Sequence, residues 1–310
     1  MRLRPDQRAR VDVTRLDEAE AGALQVEAHE KARILIEALP YIRLYSGKTI
    51  VVKIGGAALD DPAMAARVAQ DLTLMDLVGI RLIVIHGGGP QVSQAMTAAG
   101  IVPRFIDGLR VTDDASMEVV RRVLIGSINN GLVARLCESG LKAVGLSGTD
   151  AELIRAETAS GQGGQHLGRV GRVVEVNTSL LSSLMDDGYT PVIASVAMDR
   201  DGSGALNINA DAVAGAVAAT MTAAKLMYLT NVEGLYRDFG DSKSLIPELS
   251  LAELSAMSSG ISAGMGPKVA SVIQSLGSGV GKAHILDGRV EHALLLEIFT
   301  EKGIGTQVIA

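Results

Sequence analysis

Lys53 in VVKIGG (51–56) and Lys268 in GMGPK (264–268) stand 215 residues apart, each beside glycines. A lysine closing an apolar strand before Gly55 and Gly56 suits a backbone turn that hugs a phosphate while the ammonium reaches its oxygens. A second lysine, delivered from a distant glycine-containing loop, can meet the first across a cleft. Between them, IVIHGGGP (83–90) repeats the strand-to-glycine turn and supplies Gly88 and Gly89. Together these residues read as phosphoryl-transfer chemistry. No G-x-x-x-x-G-K-[ST] string occurs, so neither turn is a P-loop.

Two further polar groups could serve the same site. Arg110 lies in DGLRVTD (107–113), and its planar fork suits bidentate capture of a carboxylate. An ordinary surface pairing with Asp107 or Asp113 is the alternative. LNINAD (206–211) sets Asn207, Asn209 and Asp211 at the mouth of an Ala-rich helix. Asp211 could hold both lysines and Asn207 could bind substrate. Equally, Asn209 could cap the helix and Asp211 be a first-turn acid favoured by the helix dipole. The five histidines show no metal-ligand spacing, and His86, ending a strand, reads as structural.

Composition narrows the class. The 310 residues suggest two units of about 150. A net charge of −6, no Trp and few aromatics argue against nucleic acid as a partner. No apolar run approaches the ~20 residues needed to span a bilayer. The single Cys137 fits a reducing compartment, and the expected location is cytoplasmic.

The elements that must position these residues follow from periodicity. Apolar Leu24, Ala28, Ala32, Leu35 and Leu39 predict a helix over 16–39, stopped by Pro40. Strands are expected at 49–54, 81–86, 142–147, 189–196, 225–230 and 282–287. Helices are expected at 61–79, 90–100, 113–139, 178–187, 209–223, 250–259 and 267–277. Near-continuous apolar strands alternating with helices make an α/β fold with a mainly parallel sheet covered on both faces. Ligands then sit beyond the carboxyl ends of the strands, where the glycine turns fall. The polar arms around GQGGQ predict a hairpin or flap over 154–177.

The motifs VVKIGG, HGGGP, GLRVTD, VGLSG, NINAD, LTNVEGLY, GMGPK and DGRVEHALLLEIFTEKGIGT occur in the order found in the N-acetyl-L-glutamate kinases. The chain resembles that family over residues 31–310. Its leader EKARILIEALPYIRLYSGK resembles the extra helix of the arginine-sensitive branch, in which this helix interlaces dimers into a hexamer. The resemblance implies the amino-acid-kinase fold, an αβα sandwich of two lobes. Residues 1–47 would form the oligomerisation extension, 48–223 the N-lobe for the acyl amino acid and 224–310 the C-lobe for the nucleotide.

The same resemblance implies transfer of the γ-phosphoryl of ATP, with Mg²⁺ carried by the nucleotide, to the side-chain carboxylate of N-acetyl-L-glutamate. Lys53 and Lys268 would neutralise the transferring group, and Asp211 would organise both. Gly88, Gly89, Arg110 and Asn207 would hold the acyl amino acid, with Arg110 on its α-carboxylate, and Gly55 and Gly56 would line the phosphates. Asn231, Val232, Glu233, Gly234, Leu235 and Tyr236, with Gly260, Ile261 and Ser262, would border the nucleotide. L-arginine, as effector, would meet Tyr41, His284, Glu297 and Gly303.

Thr149, Asn231 and Gly266 depart from the family pattern, which carries lysine, aspartate and an aliphatic residue there. A kinase for another acylated acidic amino acid, and a non-catalytic arginine sensor on the same scaffold, are the rival readings.

Overall fold

Residues 18–55, 61–161, 163–238, 241–258, 265–301 and 303–310 are described in a computed structural model. The helix Glu18–Tyr45 leads to β1 (Thr49–Ile54), the helix Pro62–Leu77, β2 (Arg81–His86) and the helix Gly89–Ala98. A small hairpin, β3 (Phe105–Ile106) and β4 (Leu109–Arg110), precedes a long helix built of three stretches, Asp114–Arg121, Arg122–Asn129 and Asn130–Ser139. There follow β5 (Ala143–Gly148), β6 (Ile154–Ser160), β7 (His166–Val176), the helix Thr178–Asp186, β8 (Thr190–Asp199) and β9 (Ala205–Ile208). The helix Ala210–Thr220 leads to β10 (Lys225–Thr230), β11 (Leu235–Tyr236), β12 (Leu245–Ile246) and β13 (Glu248–Ser250). The helices Leu251–Met257 and Gly266–Gly277, then β14 (Lys282–Asp287), the helix Ala293–Phe299 and β15 (Thr306–Ile309), complete the order.

β1 is central because it is apolar on both faces. It pairs in parallel with β10 on one side and β2 on the other, and β14 and β8 extend the parallel core outward. Its side chains alternate. Ile50, Val52 and Ile54 pack with Leu72, Leu82 and Val84 on one face, while Val51 joins Ile83, Ile85, Val213 and Val217 on the other. Burying both faces puts every chemical group at the strand ends, and the register sets Lys53 between Ile85 and Tyr228.

The segment expected to form a flap is the antiparallel pair β6–β7. Four of the six core strands fall where periodicity sets them, and the other two, β5 and β8, within three residues. Pro40 does not end the first helix, which runs on to Tyr45. A proline removes only its own N–H donor and crowds the carbonyl four residues back. Here Ile36 and Leu39 are exposed, so water can take the freed carbonyl of Ile36. Periodicity also misses the short helix Ala293–Phe299, the edge strand β13 and its neighbour β15.

Within the long helix, Arg122–Asn129 winds in wide π-type turns. Such turns occur often at functional sites. This one lies against the glycine turn that follows β2.

Candidate active site

Lys53 comes from the last turn of β1, Lys268 from the first turn of the helix Gly266–Gly277, and Asp211 from the first turn of the helix Ala210–Thr220. Asn209 caps that last helix, its side chain accepting from the N–H of Asp211 at 2.8 Å and of Ala212 at 3.3 Å. The cap aims the carboxylate outward. Lys53 Nζ lies 2.8 Å from Asp211 Oδ1, and Lys268 Nζ 3.0 Å from Oδ2. Asp211 therefore both follows the cap and bridges the lysines.

Burial alone would raise the Asp211 carboxyl, but the charges and hydrogen bonds of Lys53 and Lys268 outweigh it and hold the group below its ordinary range. Burial pulls the Lys268 ammonium down to about 8, against the opposing pull of Asp211. Two ammonium groups thus share one carboxylate. The trio carries one net positive charge when both lysines are protonated, ready for a polyanion.

A cavity of about 210 Å³ opens beside Lys53 and Asp211 and runs to Arg110. Gly87, Gly88 and Gly89 form one wall, and Asn207, Asn209 and Ser195 belong to another. A Cβ on Gly88 would lie 2.2 Å from Ile128 Cδ1 and 2.8 Å from Leu124 Cδ2, so any larger residue there would push both side-chain ends aside. Both clashing side chains come from the wide-turn segment.

His86 is fully buried behind this turn, its Nδ1 3.0 Å from the Gly87 carbonyl and its Nε2 3.0 Å from Asn129 Nδ2. Burial lowers the imidazole to about 4, so it stays neutral, donating to Gly87 and accepting from Asn129. Gly55 closes the other turn, its N–H bonded to the Leu229 carbonyl at 3.0 Å. Gly56 lies outside the described residues.

Arg110 is buried at the far end of the cavity. Its guanidinium donates to the Gly89 carbonyl and to Ser93 Oγ, both at 2.8 Å, and stacks 4.7 Å from the Phe105 ring centroid. Asp113 is occupied elsewhere, capping the next helix through the Ser116 N–H. The fork is thus fixed in orientation against the cavity. Asn207 Nδ2 donates to Thr112 Oγ1 at 3.1 Å. Thr112 also bonds the hairpin, its N–H to Leu167 and its carbonyl to Arg169. Strand β7 and the arm carrying Arg110 are therefore tied together.

Beyond the carboxyl end of β10, Asn231 to Gly234 form a turn that leads into β11 (Leu235–Tyr236). Leu235 is part of the core, and Gly234 lies so near Thr306 that a Cβ would meet its hydroxyl at 2.3 Å. Gly260, Ile261 and Ser262 lie outside the described residues.

A second cavity, of about 650 Å³, separates the first helix from the end of the chain and is lined by Tyr41, Tyr45, Lys225, Lys282, Glu297 and Gly303 among others. His284 does not line it. It stands fully buried behind, its Nδ1 2.6 Å from Glu297 Oε1. Burial would raise the Glu297 carboxyl, but His284, the Ile304 N–H and Lys225 together bring it below its ordinary range.

Sequence reasoning missed Ser93, Phe105, Asn129, Tyr228 and Ser271. Tyr228 left one trace, an aromatic inside the otherwise aliphatic run KLMYLT. No residue-type signal announced the others. Among the described residues no three His, Cys, Asp or Glu side chains converge as metal ligands, and no helix is long and apolar enough to cross a membrane.

The sequence model of the amino acid kinase family matches residues 48–287. An acetylglutamate kinase of Symbiobacterium thermophilum is 49% identical over 290 residues, spanning 91% of this chain and 99% of its own length. Among solved structures, N-acetylglutamate synthase from Neisseria gonorrhoeae complexed with coenzyme A and N-acetyl-glutamate superposes with a TM-score of 0.81 at 29% identity. The match covers 90% of this chain but only 63% of the synthase. The same synthase complexed with coenzyme A and L-arginine gives 0.77 at 27% identity, over 90% of this chain and 65% of that one. With its mainly parallel sheet between helical layers and these relatives over nearly its whole length, the chain belongs to the amino acid kinase family, among its acetylglutamate kinases.

Proposed function

We infer that the chain transfers the γ-phosphoryl group of ATP to the side-chain carboxylate of N-acetyl-L-glutamate, giving an acyl phosphate in amino-acid biosynthesis. The observation that carries this reading is the pair of lysines on one carboxylate at the mouth of a cavity that ends in a fixed arginine.

The chemistry suits such a site. A carboxylate with a pKa of about 4 is already ionised at neutral pH, so the nucleophile needs no general base. What remains is to bring two anions into line and to stabilise the charge on the transferring group. Lys53 and Lys268 would do the second, each held by Asp211 so that neither ammonium must reorganise during the reaction. Arg110 would take the α-carboxylate, with Gly88, Gly89 and Asn207 holding the rest of the acyl amino acid. The main-chain groups of Gly55 and Gly56 would meet the phosphates. Magnesium would arrive as part of the nucleotide, coordinated chiefly by its phosphates.

Residues 48–223 would form the acceptor lobe and 224–310 the nucleotide lobe. Asn231, Val232, Glu233, Gly234, Leu235 and Tyr236 would border the nucleotide, as would Gly260, Ile261 and Ser262. Because Leu235 is buried, its part would be played by the backbone. The need for ATP supports a cytoplasmic location.

L-arginine would inhibit from the second cavity, whose carboxylate at Glu297 suits a guanidinium. Tyr41 and Gly303 would contact it, and His284 would act from behind by fixing Glu297. The synthase that superposes on this chain has been solved as a complex with L-arginine, which supports this reading. The exposed Ile34, Leu35, Ile36, Leu39 and Leu44 of the first helix support assembly into a hexamer through residues 1–47.

ATP-dependent acyl-phosphate formation, trapped as the hydroxamate, tests the whole reading. N-acetyl-L-glutamate, free glutamate and N-acetyl-aminoadipate are compared, each with and without arginine. Turnover with N-acetyl-L-glutamate alone, suppressed by arginine, is expected. No turnover on any acceptor while arginine still binds would instead make the chain a sensor.

A further inference from the structure

Lys268 has a second partner besides Asp211. Its ammonium lies 4.9 Å from the centroid of the Tyr228 ring, which is wholly buried on β10 in register with Lys53. The Tyr228 hydroxyl is 2.7 Å from Ser271 Oγ, one turn beyond Lys268 on the same helix. Ser271 Oγ in turn donates to the main-chain carbonyl of Asp211 at 2.5 Å. A serine hydroxyl has one proton to give, and the Asp211 carbonyl can only accept. The Tyr228 hydroxyl is therefore the donor to Ser271. The contacts close a ring: Asp211 carboxylate, Lys268, Tyr228, Ser271 and back to the Asp211 main chain.

We propose, resting on the phosphoryl-transfer reading above, that Tyr228 and Ser271 are positioning residues for Lys268. The ring face of Tyr228 holds the ammonium as a second partner beside its carboxylate, and the hydroxyl pair locks the lysine's helix to the helix of Asp211. Two independent features support this. Lys268 is buried, where a cation over an aromatic face is worth most. The two helices also approach closely enough that a Cβ on Gly215 would lie 2.5 Å from Ser271 Oγ, so the serine occupies space that only glycine leaves. The two roles are separable. The aromatic face governs how long the lysine stays charged as pH rises, and the hydroxyl chain governs where it stands.

The test compares wild type with Tyr228→Leu, Tyr228→Phe and Ser271→Ala. It reads the alkaline limb of kcat/KM for ATP, kcat at neutral pH, and proton uptake on ATP binding by calorimetry in two buffers of different ionisation enthalpy. Tyr228→Leu should move the alkaline limb down by about one pH unit, because the ammonium loses its aromatic support. Tyr228→Phe should leave the limb in place and lower kcat several-fold. Ser271→Ala should also lower kcat several-fold, with KM for N-acetyl-L-glutamate unchanged. A folded Tyr228→Leu protein with the wild-type limb and proton uptake overturns the proposal. If that variant fails to fold, wild-type kcat in Ser271→Ala overturns it instead. Wild-type protein that neither binds ATP nor forms acyl phosphate overturns the functional reading itself, and is told apart by failing before any substitution is made.

Discussion

Asp71 Oδ1 lies 2.6 Å from His292 Nδ1, joining residues 221 positions apart. Asp71 is almost fully buried on the helix Pro62–Leu77, and burial raises its carboxyl above the ordinary range against the opposing pull of His292 and of the nearby Leu294 and Leu295 main chain. It thereby ties the N-terminal end of the helix Ala293–Phe299, which carries Glu297, to the helix Pro62–Leu77. Asp71→Ala should destabilise the protein by about 2 kcal/mol, the scale of a lost buried hydrogen bond to a carboxylate. His292→Ala should cost less, because its ring is partly exposed. Urea unfolding of the two variants decides the order, and equal stabilities would contradict the larger share given to the buried carboxylate.

Removing either ammonium should abolish most of the chemistry. Lys53→Met and Lys268→Met should each lower kcat by about 10²–10³-fold, as for other donors aimed at developing charge. KM for N-acetyl-L-glutamate should change little, since Arg110 stands at the far end of the cavity. A variant that loses acceptor binding rather than kcat would place the lysine in ground-state binding instead.

The pH profile should be limited on the alkaline side. Lys268 titrates near 8, so it is charged below that value and neutral above it. Hence kcat/KM for ATP should fall as pH rises through about 8. In the nucleotide complex the phosphates stabilise the ammonium, so the limb of kcat should lie higher. Rate measurements between pH 6 and 10 check both limbs, and coincident limbs would exclude Lys268 as their source.

His86 makes the fold sensitive to acid. Its folded value is about 4, against about 6.5 for an unfolded histidine. Between these values the unfolded chain holds a proton that the folded chain refuses. The stabilisation is complete above 6.5 and is lost as pH falls toward 4, by roughly 3 kcal/mol at most. His86→Gln should flatten this part of the stability profile, measured by urea unfolding at pH 7.5 and 5. An unchanged slope would assign the acid sensitivity to other groups.

Deleting residues 1–40 should abolish inhibition by arginine and reduce the assembly to a dimer, as measured by light scattering beside the hydroxamate assay. A truncated protein that is still hexameric and still inhibited would remove the first helix from both roles.

Much of the site was legible because its chemistry needs conspicuous residue types in conspicuous places. Lysines and glycines at the ends of apolar strands announce themselves, and NINAD shows an acid two residues past a cap. Periodicity placed the six core strands because burial on both faces leaves little choice of residue. What stayed hidden depends on contacts made across the fold. Nothing in KLMYLT says that Tyr228 will meet Lys268 from within the core, and nothing in KVASV says that Ser271 will meet its hydroxyl. The wide turns at 122–129 were invisible because they cost one helical hydrogen-bond register and no change of composition. Pro40 misled because the rule that proline ends a helix presumes a buried or rigid frame, and this helix is open to solvent.

The close approach of Gly215 to Ser271 ties two positions 56 residues apart into one heritable unit. Enlarging Gly215 is incompatible with the serine, and changing the serine alone strands the Tyr228 hydroxyl. Drift at either position should therefore be followed by change at the other, and aligned descendants of this chain should show the two columns covarying while Lys53, Asp211 and Lys268 stay fixed.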